Sequence, residues 1–194
     1  MAQDALVLNA PLRNPELGDC HATMQRRADG ALIVHNTRPL DPYPEKLTQR
    51  LEHWARVAPD RIWLAARENG EWRNITYAQA LATTRRIAAA LIARGLSAER
   101  PLMILSGNDL DHAMMGMGAL YAGCAYAPVS PAYSLVSSDH GKLKYIIELM
   151  TPGLIFVADG APFARAIENA APADVELVVV KNPPAGRPVT LFAD

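Results

Sequence analysis

Hydroxyl and phenol side chains follow the apolar runs of this sequence at positions where a ligand could reach them. The clearest stretch is 130–138, which follows the apolar run 124–129 and begins Ser-Pro-Ala-Tyr-Ser. In open α/β sheets, ligands usually bind at the loop that leaves the carboxyl end of a strand. Ser130 and Tyr133 are therefore candidate substrate-binding residues. Tyr133 could stack on an aromatic acid, although packing at the rim is the favoured role for this side chain.

A third candidate is Ser106, the first residue after the apolar run 102–105. The residues after it precede a predicted helix, so backbone amides could meet an anion there. Asp109 and Asp111 already place negative charge at the start of that helix, and this counts against an anion site. We therefore favour Asn108 as a structural N-cap.

The run 137–142, Ser-Ser-Asp-His-Gly-Lys, resembles a phosphate-binding loop because hydroxyls, glycine and lysine stand ahead of a helix. It lacks the glycine density that lets several backbone amides converge on one phosphate. Ser138 is therefore interpreted as a helix cap. His112, in the first turn of another predicted helix, is expected to form surface hydrogen bonds rather than to act in catalysis.

The familiar catalytic motifs are missing from the sequence. It has no dinucleotide-binding glycine motif, no phosphate-binding P-loop, no His-Glu-x-x-His and no esterase Gly-x-Ser-x-Gly. The five histidines are scattered, and Cys20 and Cys124 lie far apart. The residues themselves thus assign no catalytic group and no metal ligand.

The apolar pattern from residue 102 onward predicts how these candidates are positioned. Four apolar runs, of which the last is interrupted only by Glu176, are typical of strands buried on both faces of a parallel sheet. They are 102–105, 124–129, 154–157 and 175–180. Helices are predicted between them at 109–122, 139–150 and 162–169. Gly116 and Gly118 in the first helix indicate close packing on the sheet. The alternation predicts an α/β fold with a doubly wound, mostly parallel sheet of about four strands.

Upstream of the sheet, the sequence predicts an amphipathic helix that begins near Pro44 and a hairpin at 61–75 with an Asn-Gly turn. Thr76 and Gln79 then have the spacing of a capping box, which predicts the start of a second helix. Gly95 is expected to end that helix in the left-handed conformation.

The chain divides at the first of these helices. Residues 1–43 are punctuated by proline and glycine without clear periodicity, and we predict an extended N-terminal arm there. Ala31–Val34 could form a short strand within the arm. Residues 44–194 are predicted to form the α/β domain.

The composition limits the classes of protein to which this chain can belong. The chain has 194 residues, of which 50% are hydrophobic and 20% charged, so it suits one domain or an incomplete large one. A net charge of −1 does not suggest a nucleic-acid partner. The segment 1–10 lacks a basic region ahead of an apolar one, and we expect a cytoplasmic protein. The charge-free stretch 113–138 is broken by glycine and proline, which favours a buried helix and strand over a membrane span.

Four runs resemble the opening of an adenylate-forming (AMP-binding) enzyme, a superfamily that includes acyl-CoA synthetases, luciferases and peptide-synthetase adenylation domains. They are Ile75-Thr-Tyr-Ala-Gln-Ala-Leu, Arg94-Gly-Leu, Pro101-Leu-Met-Ile-Leu-Ser-Gly-Asn and Ala119-Leu-Tyr-Ala-Gly-Cys-Ala-Tyr-Ala-Pro-Val-Ser-Pro. Within the superfamily, further runs most resemble bacterial feruloyl-CoA synthetases. These include Leu47-Thr-Gln-Arg-Leu-Glu-His-Trp-Ala, Ser130-Pro-Ala-Tyr-Ser-Leu-Val-Ser and Leu149-Met-Thr-Pro-Gly-Leu-Ile-Phe-Val-Ala-Asp-Gly.

The resemblance implies a fold, a reaction and its cofactors. It implies that residues 44–194 are a partial AMP-binding domain, the incomplete N-terminal portion of the large domain. In the implied reaction, a carboxylate such as a hydroxycinnamate attacks ATP with the help of Mg²⁺, and CoA then displaces AMP to give a thioester. Such enzymes use a Ser/Thr/Gly-rich loop that ends in Lys, a ribose-binding Asp and a catalytic Lys, and none of these motifs occurs between Met1 and Asp194. We therefore expect the chain to be inactive alone.

Three hypotheses follow. The chain is an inactive N-terminal piece of a feruloyl-CoA synthetase-like acid–CoA ligase, a non-catalytic α/β binding or scaffolding remnant, or an independent small α/β enzyme that uses the loop from Ser130 to Tyr133. The first predicts as partners the missing C-terminal portion of the ligase or a second copy, with no nucleic acid and no membrane. Exposed apolar surface on an incomplete sheet is the reason to expect self-association.

Overall fold

The computed structural model describes residues 21–194. They divide into the described part of a first unit, 21–43, and a second unit, 44–194. Residues 1–20 of the predicted arm, Cys20 among them, lie outside the described residues.

The first unit contains an antiparallel hairpin formed by β1 (Ala22–Arg26) and β2 (Leu32–Asn36). Gly30 takes a φ of +84° in the connecting turn, a conformation that glycine adopts without strain. The short strand expected at Ala31–Val34 overlaps β2, but the sequence did not predict its partner β1. The predicted arm therefore contains regular structure.

The second unit begins with a helix, a hairpin and another helix, namely α1 (Leu47–Val57), β3 (Ile62–Glu68), β4 (Glu71–Thr76) and α2 (Tyr77–Ala93). The hairpin turns at Asn69 and Gly70, both with positive φ, as the Asn-Gly pair predicts. The capping box is confirmed, because Thr76 Oγ1 accepts from the Gln79 amide at 3.3 Å and the Gln79 side chain accepts from the Thr76 amide at 2.9 Å. Gly95, with a φ of +69°, follows α2 as expected.

A five-stranded parallel sheet occupies the rest of the second unit. In chain order its elements are β5 (Leu102–Ile104), α3 (Leu110–Ala122), β6 (Tyr126–Pro128), α4 (Ala132–Leu135), α5 (Gly141–Met150), β7 (Leu154–Asp159), α6 (Gly160–Ala170), β8 (Glu176–Lys181) and β9 (Thr190–Leu191). The strand order in space is β6-β5-β7-β8-β9, and every neighbouring pair is parallel. The four predicted strands are confirmed, while β9 and α4 were not predicted.

Each face of the sheet is covered by its own core. Alternate residues of β5 and β7 point to opposite faces, as the period of a strand requires. A first core joins α2 and α3 to Leu102, Ile104, Leu154 and Phe156, and a second core joins α5 and α6 to Met103, Leu105, Ile155 and Val157. Helices thus lie on both faces, and the α/β doubly wound fold is confirmed.

Two glycines of α3 allow close approach of its neighbours. A Cβ at Gly116 would lie 3.1 Å from the ring of Tyr126 in β6, which confirms close packing on the sheet. A Cβ at Gly118 would lie 2.2 Å from Cγ2 of Ile87, which belongs to α2. The prediction of helix-to-sheet packing is therefore wrong for Gly118, whose missing side chain brings two helices together.

The charge-free stretch 113–138 folds as most of α3, then β6 and α4. This confirms the predicted helix followed by a strand. Among the described residues, no helix combines the length and the hydropathy needed to cross a bilayer.

Candidate functional site

The loops that follow β5, β6 and β7 emerge at one edge of the parallel sheet. The register aligns Ile104 of β5 with Pro128 of β6. Ser106 and Ser130, each two residues further along the chain, therefore leave the sheet at equivalent positions. We call this region the carboxyl edge, defined as residues 105–112, 129–138 and 159–160.

The topology predicts a crevice at the carboxyl edge. β5 lies between β6 and β7 in the sheet. After β5 the chain enters α3, which packs in the first core, and after β7 it enters α6, which packs in the second core. Two neighbouring strands whose following helices lie on opposite faces leave a gap between their loops, and this is where open α/β sheets bind ligands.

Ser106 is almost fully buried, with 3% of its surface exposed. Its hydroxyl lies 3.2 Å from the Gly107 carbonyl oxygen and 3.1 Å from Nδ1 of His112. His112 Nδ1 is also 2.8 Å from the Gly107 carbonyl, which can only accept, so this nitrogen carries the proton and donates. His112 therefore cannot take a proton from Ser106 through Nδ1. The pair fixes the loop and does not form a nucleophile with its base.

Carboxylates occupy the start of α3. The N-cap is Asp109, whose Oδ1 accepts from the His112 amide at 2.7 Å. The prediction of Asn108 as the cap is wrong by one residue, because the helix begins at Leu110 and only the Asp109 side chain is placed to reach that amide. Asp111 in the first turn adds a second negative charge.

Asp111 is held by an arginine from the β3–β4 hairpin. Arg73 contacts both carboxylate oxygens of Asp111, at 2.9 and 3.1 Å, and also contacts Glu68 at 3.2 Å. These hydrogen bonds, above all the one to Asp111, raise the pKa of Arg73. The ion pair ties the hairpin to the start of α3 and neutralises charge beside the crevice.

Ser130 and Tyr133 lie on the loop after β6. The Ser130 side chain is exposed, and its carbonyl accepts from the Tyr133 amide at 3.0 Å as α4 begins. Tyr133 is half-buried against the second core, and Nζ of Lys142 lies 5.2 Å from its ring centroid. One face of the ring thus already has a cation against it, which suits a rim residue.

Sequence reasoning missed a polar group at the end of β7. Asp159 caps α6 by accepting from the Ala161 amide at 3.2 Å, and it accepts from Asn182 at 3.0 Å with Lys181 3.5 Å away. The hydrogen bond from Asn182 is the main cause of the lowered pKa of Asp159. The sequence signal that could have identified Asp159 is its position directly after the apolar residues 154–158.

A buried histidine was also missed. His140 is 1% exposed and has a left-handed φ of 55° at the start of α5. Its Nε2 lies 3.2 Å from the Ser134 carbonyl and its Nδ1 3.3 Å from the Asn169 amide nitrogen, so Nε2 donates and Nδ1 accepts. His140 thereby joins α4, α5 and α6.

The cap at the start of α5 differs from the prediction. Ser138 does not cap this helix. The Ser137 hydroxyl accepts from the His140 amide, and Asp139 accepts from the Gly141 amide, both at 3.0 Å. Because a carboxylate and a hydroxyl already take these amides, the run offers no open phosphate loop.

The charged groups of the carboxyl edge are engaged within the chain. Asp109, Asp111 and Asp159 each cap a helix or pair with a basic side chain. No group of three or more metal-ligand side chains occurs in the part of the chain that the structure describes. The chemistry available from these residues is hydrogen bonding and positioning.

The model of the family described as AMP-binding enzyme matches residues 51–191, which include the whole carboxyl edge. The chain belongs to the AMP-binding enzyme family.

Solved structures with the same fold include one in complex with acyl adenylate and pyrophosphate and one in an AMPPNP-bound form. The fatty acyl-adenylate ligase from Legionella pneumophila, solved with acyl adenylate and pyrophosphate, matches with a TM-score of 0.55 and 21% identity over 70% of this chain and 23% of that one. The nonribosomal peptide synthetase FmoA3 in its AMPPNP-bound form matches with a TM-score of 0.59 and 22% identity over 74% of this chain and 14% of that one. At these identities the likeness shows the fold alone.

A curated relative is a plipastatin synthase from Bacillus subtilis strain 168, 36% identical over 131 residues, or 66% of this chain. That match takes up 5% of the relative's own length. Tyrocidine synthase 2 from Brevibacillus parabrevis is 25% identical over 81% of this chain and again 5% of the relative. The chain thus spans a small part of the proteins it resembles.

Proposed function

We propose that this chain is the N-terminal portion of the large domain of a feruloyl-CoA synthetase-like carboxylic acid–CoA ligase. The ligase would adenylate a hydroxycinnamate with ATP and then form a thioester with CoA. The family match across residues 51–191 carries the proposal. The finer assignment is supported by the sequence runs given above, such as the one that begins at Ser130.

The proposed role of this portion is to form one wall of the acid and adenylate site. Ser106 holds the loop after β5 through its bonds to Gly107 and His112. Ser130, whose side chain is exposed, is proposed to donate a hydrogen bond to the ligand. The outer face of Tyr133, opposite Lys142, is proposed to contact the ring of the acid.

The proposed ligase uses ATP, Mg²⁺ and CoA, and the described residues do not fit these groups by themselves. The three acidic side chains of the carboxyl edge are already engaged, and the described chain has no cluster of metal ligands. At the start of each of α3, α5 and α6 a carboxylate already accepts from a backbone amide, so these helix starts do not cradle a phosphate. We therefore derive no catalytic step from this chain and propose that another polypeptide segment supplies it.

The second candidate is a non-catalytic binding or scaffolding remnant. The observation in its favour is that the polar groups of the carboxyl edge bond to one another, as His112 does with Ser106 and Gly107. Such a protein needs the fold but no nucleotide.

The coding sequence after Asp194 distinguishes the two. A continuing, frameshifted or separate reading frame that encodes a Ser/Thr/Gly-rich loop ending in Lys supports the ligase. The absence of such a reading frame favours the non-catalytic binding or scaffolding remnant.

If the frame exists, the protein joined to that segment should exchange pyrophosphate into ATP. We expect ferulate, coumarate or caffeate to stimulate exchange more than decanoate or an amino acid panel does. The amino acids are included because the relatives reported above include peptide synthetases. Decanoate is included because one of the structures with the same fold is a fatty acyl-adenylate ligase. Stimulation by amino acids alone would overturn the hydroxycinnamate assignment while leaving the adenylation proposal intact.

A further inference from the structure

The short helix α4 controls the position of both residues that are proposed to contact the ligand. Tyr133 lies within α4, and its amide donates to the Ser130 carbonyl at 3.0 Å, so Ser130 is tied to the same helix. α4 has four residues, and a helix of that length is not stable through its own hydrogen bonds. Its position therefore depends on what attaches it to the neighbouring helices.

Apart from the half-buried Tyr133, the side chains around α4 attach it weakly. Leu135 leaves 48% of its surface exposed, and Val136, the next residue, leaves 81%. Ser134 is buried, but its hydroxyl has no hydrogen-bond partner among the described residues. Burial of an unpaired hydroxyl costs free energy, so this side chain opposes the attachment of α4.

His140 supplies a polar attachment from the inside. The Ser134 carbonyl lies in the last turn of α4, where a helix leaves carbonyl groups without an intrahelical partner. Nε2 of the buried His140 donates to this carbonyl at 3.2 Å, and Nδ1 lies 3.3 Å from the side-chain nitrogen of Asn169 on α6. One imidazole ring thus joins the end of α4 to α6 from the residue that precedes α5.

The backbone at His140 is held in an uncommon conformation. Its φ of 55° is left-handed, and residues other than glycine keep such a conformation where their surroundings determine it. The Ser137 hydroxyl accepts from the His140 amide at 3.0 Å, and the His140 carbonyl accepts from the Lys144 amide at 2.9 Å. The chain therefore maintains a costly backbone state at the residue that bonds to α4.

We infer that His140 is a positioning residue for the aromatic acid. By bonding to the Ser134 carbonyl it fixes α4, so that Tyr133 and Ser130 keep their positions at the carboxyl edge. Lys142 adds a second contact from α5, with Nζ 5.2 Å from the Tyr133 ring centroid. The identity of the ligand rests on the proposed function, whereas the attachment of α4 can be tested without it.

Three variants separate the hydrogen-bond donor from the bulk of the side chain. His140→Leu removes both ring nitrogens and keeps an apolar group. His140→Gln keeps a donor, because its amide nitrogen is the same number of bonds from the backbone as Nε2 of histidine. Ser134→Ala is the control, since it keeps the carbonyl and removes only the unpaired hydroxyl.

The first measurement is fluorine NMR of the purified chain labelled with fluorotyrosine, which reports on its six tyrosines. Tyr133→Phe identifies the Tyr133 signal. We expect this signal to move in His140→Leu, to return to the wild-type position in His140→Gln and to stay in place in Ser134→Ala. The signal of Tyr121, on α3, should stay in place in all three variants.

A milder variant covers the case in which His140→Leu does not fold, which a displaced Tyr121 signal would reveal. Asn169→Ala removes the partner of Nδ1 and leaves the donor to Ser134 in place. It should move the Tyr133 signal in the same direction by a smaller amount, because the imidazole ring is then fixed at one nitrogen only.

The second measurement is pyrophosphate exchange by the protein joined to the segment with the Ser/Thr/Gly-rich loop. His140→Leu should raise the KM for ferulate at least about threefold, as expected for the loss of one neutral hydrogen bond, and leave the KM for ATP unchanged. His140→Gln should stay within about twofold of the wild type. A smaller folded fraction would lower the rate and change neither KM, so this split separates positioning from stability.

The two measurements fail separately. A Tyr133 signal that moves in neither His140→Leu nor Asn169→Ala, or that fails to return in His140→Gln, overturns the positioning role whatever the joined protein does. Equal rises in the KM for ferulate and for ATP also overturn it. A joined wild type without acid-dependent exchange overturns the proposed function, and with it the aromatic acid as the ligand for which α4 is positioned.

Discussion

The carboxyl edge and a cavity of about 340 Å³ between α2 and β9, which we call the α2–β9 cavity, border the same sheet but differ in how their polar groups are satisfied. At the carboxyl edge, carboxylates cap helices, Arg73 clamps Asp111, and the buried Ser106 bonds to its neighbours. At the cavity, Arg86 and Asp194 have no ion-pair partner among the described residues, and the floor is formed by the buried apolar side chains of Leu91, Met115 and Leu154. Polar side chains at the carboxyl edge are thus held by bonds within the chain, whereas the cavity is lined mainly by apolar side chains. The predictions below compare the two regions.

The largest effect is expected at the carboxyl edge, where backbone packs against Gly160. A Cβ there would lie 2.3 Å from the Asn182 carbonyl oxygen and 2.9 Å from Pro184. Gly160→Ala should therefore destabilise the chain by about 1–3 kcal/mol, because backbone cannot move aside cheaply. Urea unfolding measures the change. Gly107→Ala is the matched control, since nothing lies within 4 Å of its Cβ position, and equal losses in both variants would contradict tight packing at Gly160.

Loss of the buried hydroxyl comes next. Ser106→Ala removes the contacts with Gly107 and His112 in a site that excludes water, and it should cost about 1 kcal/mol. Ser130→Ala at the equivalent position of β6 should stay within about 0.5 kcal/mol of the wild type because its side chain is exposed. The same urea titration distinguishes them, and a larger loss at Ser130 would reverse our ranking of the two serines.

Added volume should be tolerated at the cavity. Ala90 lines it from α2, so Ala90→Leu puts apolar atoms into open space and should stabilise the chain by up to about 1 kcal/mol. Ala82→Leu on the exposed side of α2 controls for helix propensity. A destabilised Ala90→Leu beside a neutral Ala82→Leu would show that the cavity is effectively filled.

The smallest effect concerns charge at the carboxyl edge. The pKa of Asp159 is lowered, mainly by the hydrogen bond from Asn182, so the folded state binds the proton less tightly than the unfolded chain does. Its contribution is present above the ordinary carboxyl pKa and is lost as the pH falls through the lowered folded-state value. Asp159→Asn should cost a few tenths of a kcal/mol at pH 7 and nothing at about pH 2. Thermal unfolding across this range measures the difference, and a gap that widens in acid would have the wrong sign.

The sequence predicted much of this fold because its signals were local. Apolar runs located β5 to β8, and Thr76 with Gln79 located the start of α2. β9 escaped because Thr190–Leu191 is too short to show any periodicity. The partner of β2 escaped because strand pairing is a tertiary property.

The errors at the candidate site also arose because the sequence does not show which residues meet in space. Asn108 and Ser138 are good capping residues by type, but Asp109 and the pair Ser137 and Asp139 reach the amides instead. A shift of one residue in the start of a helix decides which side chain can accept from its first amides. Gly118 could not be assigned to a helix contact, because its neighbour Ile87 lies far away in the chain.

Pyrophosphate exchange with the purified chain tests the proposed function most directly. Adenylation needs several groups that position and neutralise ATP together, and the carboxyl edge supplies only binding groups, so removal of the rest costs orders of magnitude in rate. We predict no exchange into ATP with ferulate, coumarate or caffeate above a heat-killed control. Ferulate-dependent exchange that is lost in Tyr133→Ala would contradict this account, because the chain alone would then hold a working site built around that ring.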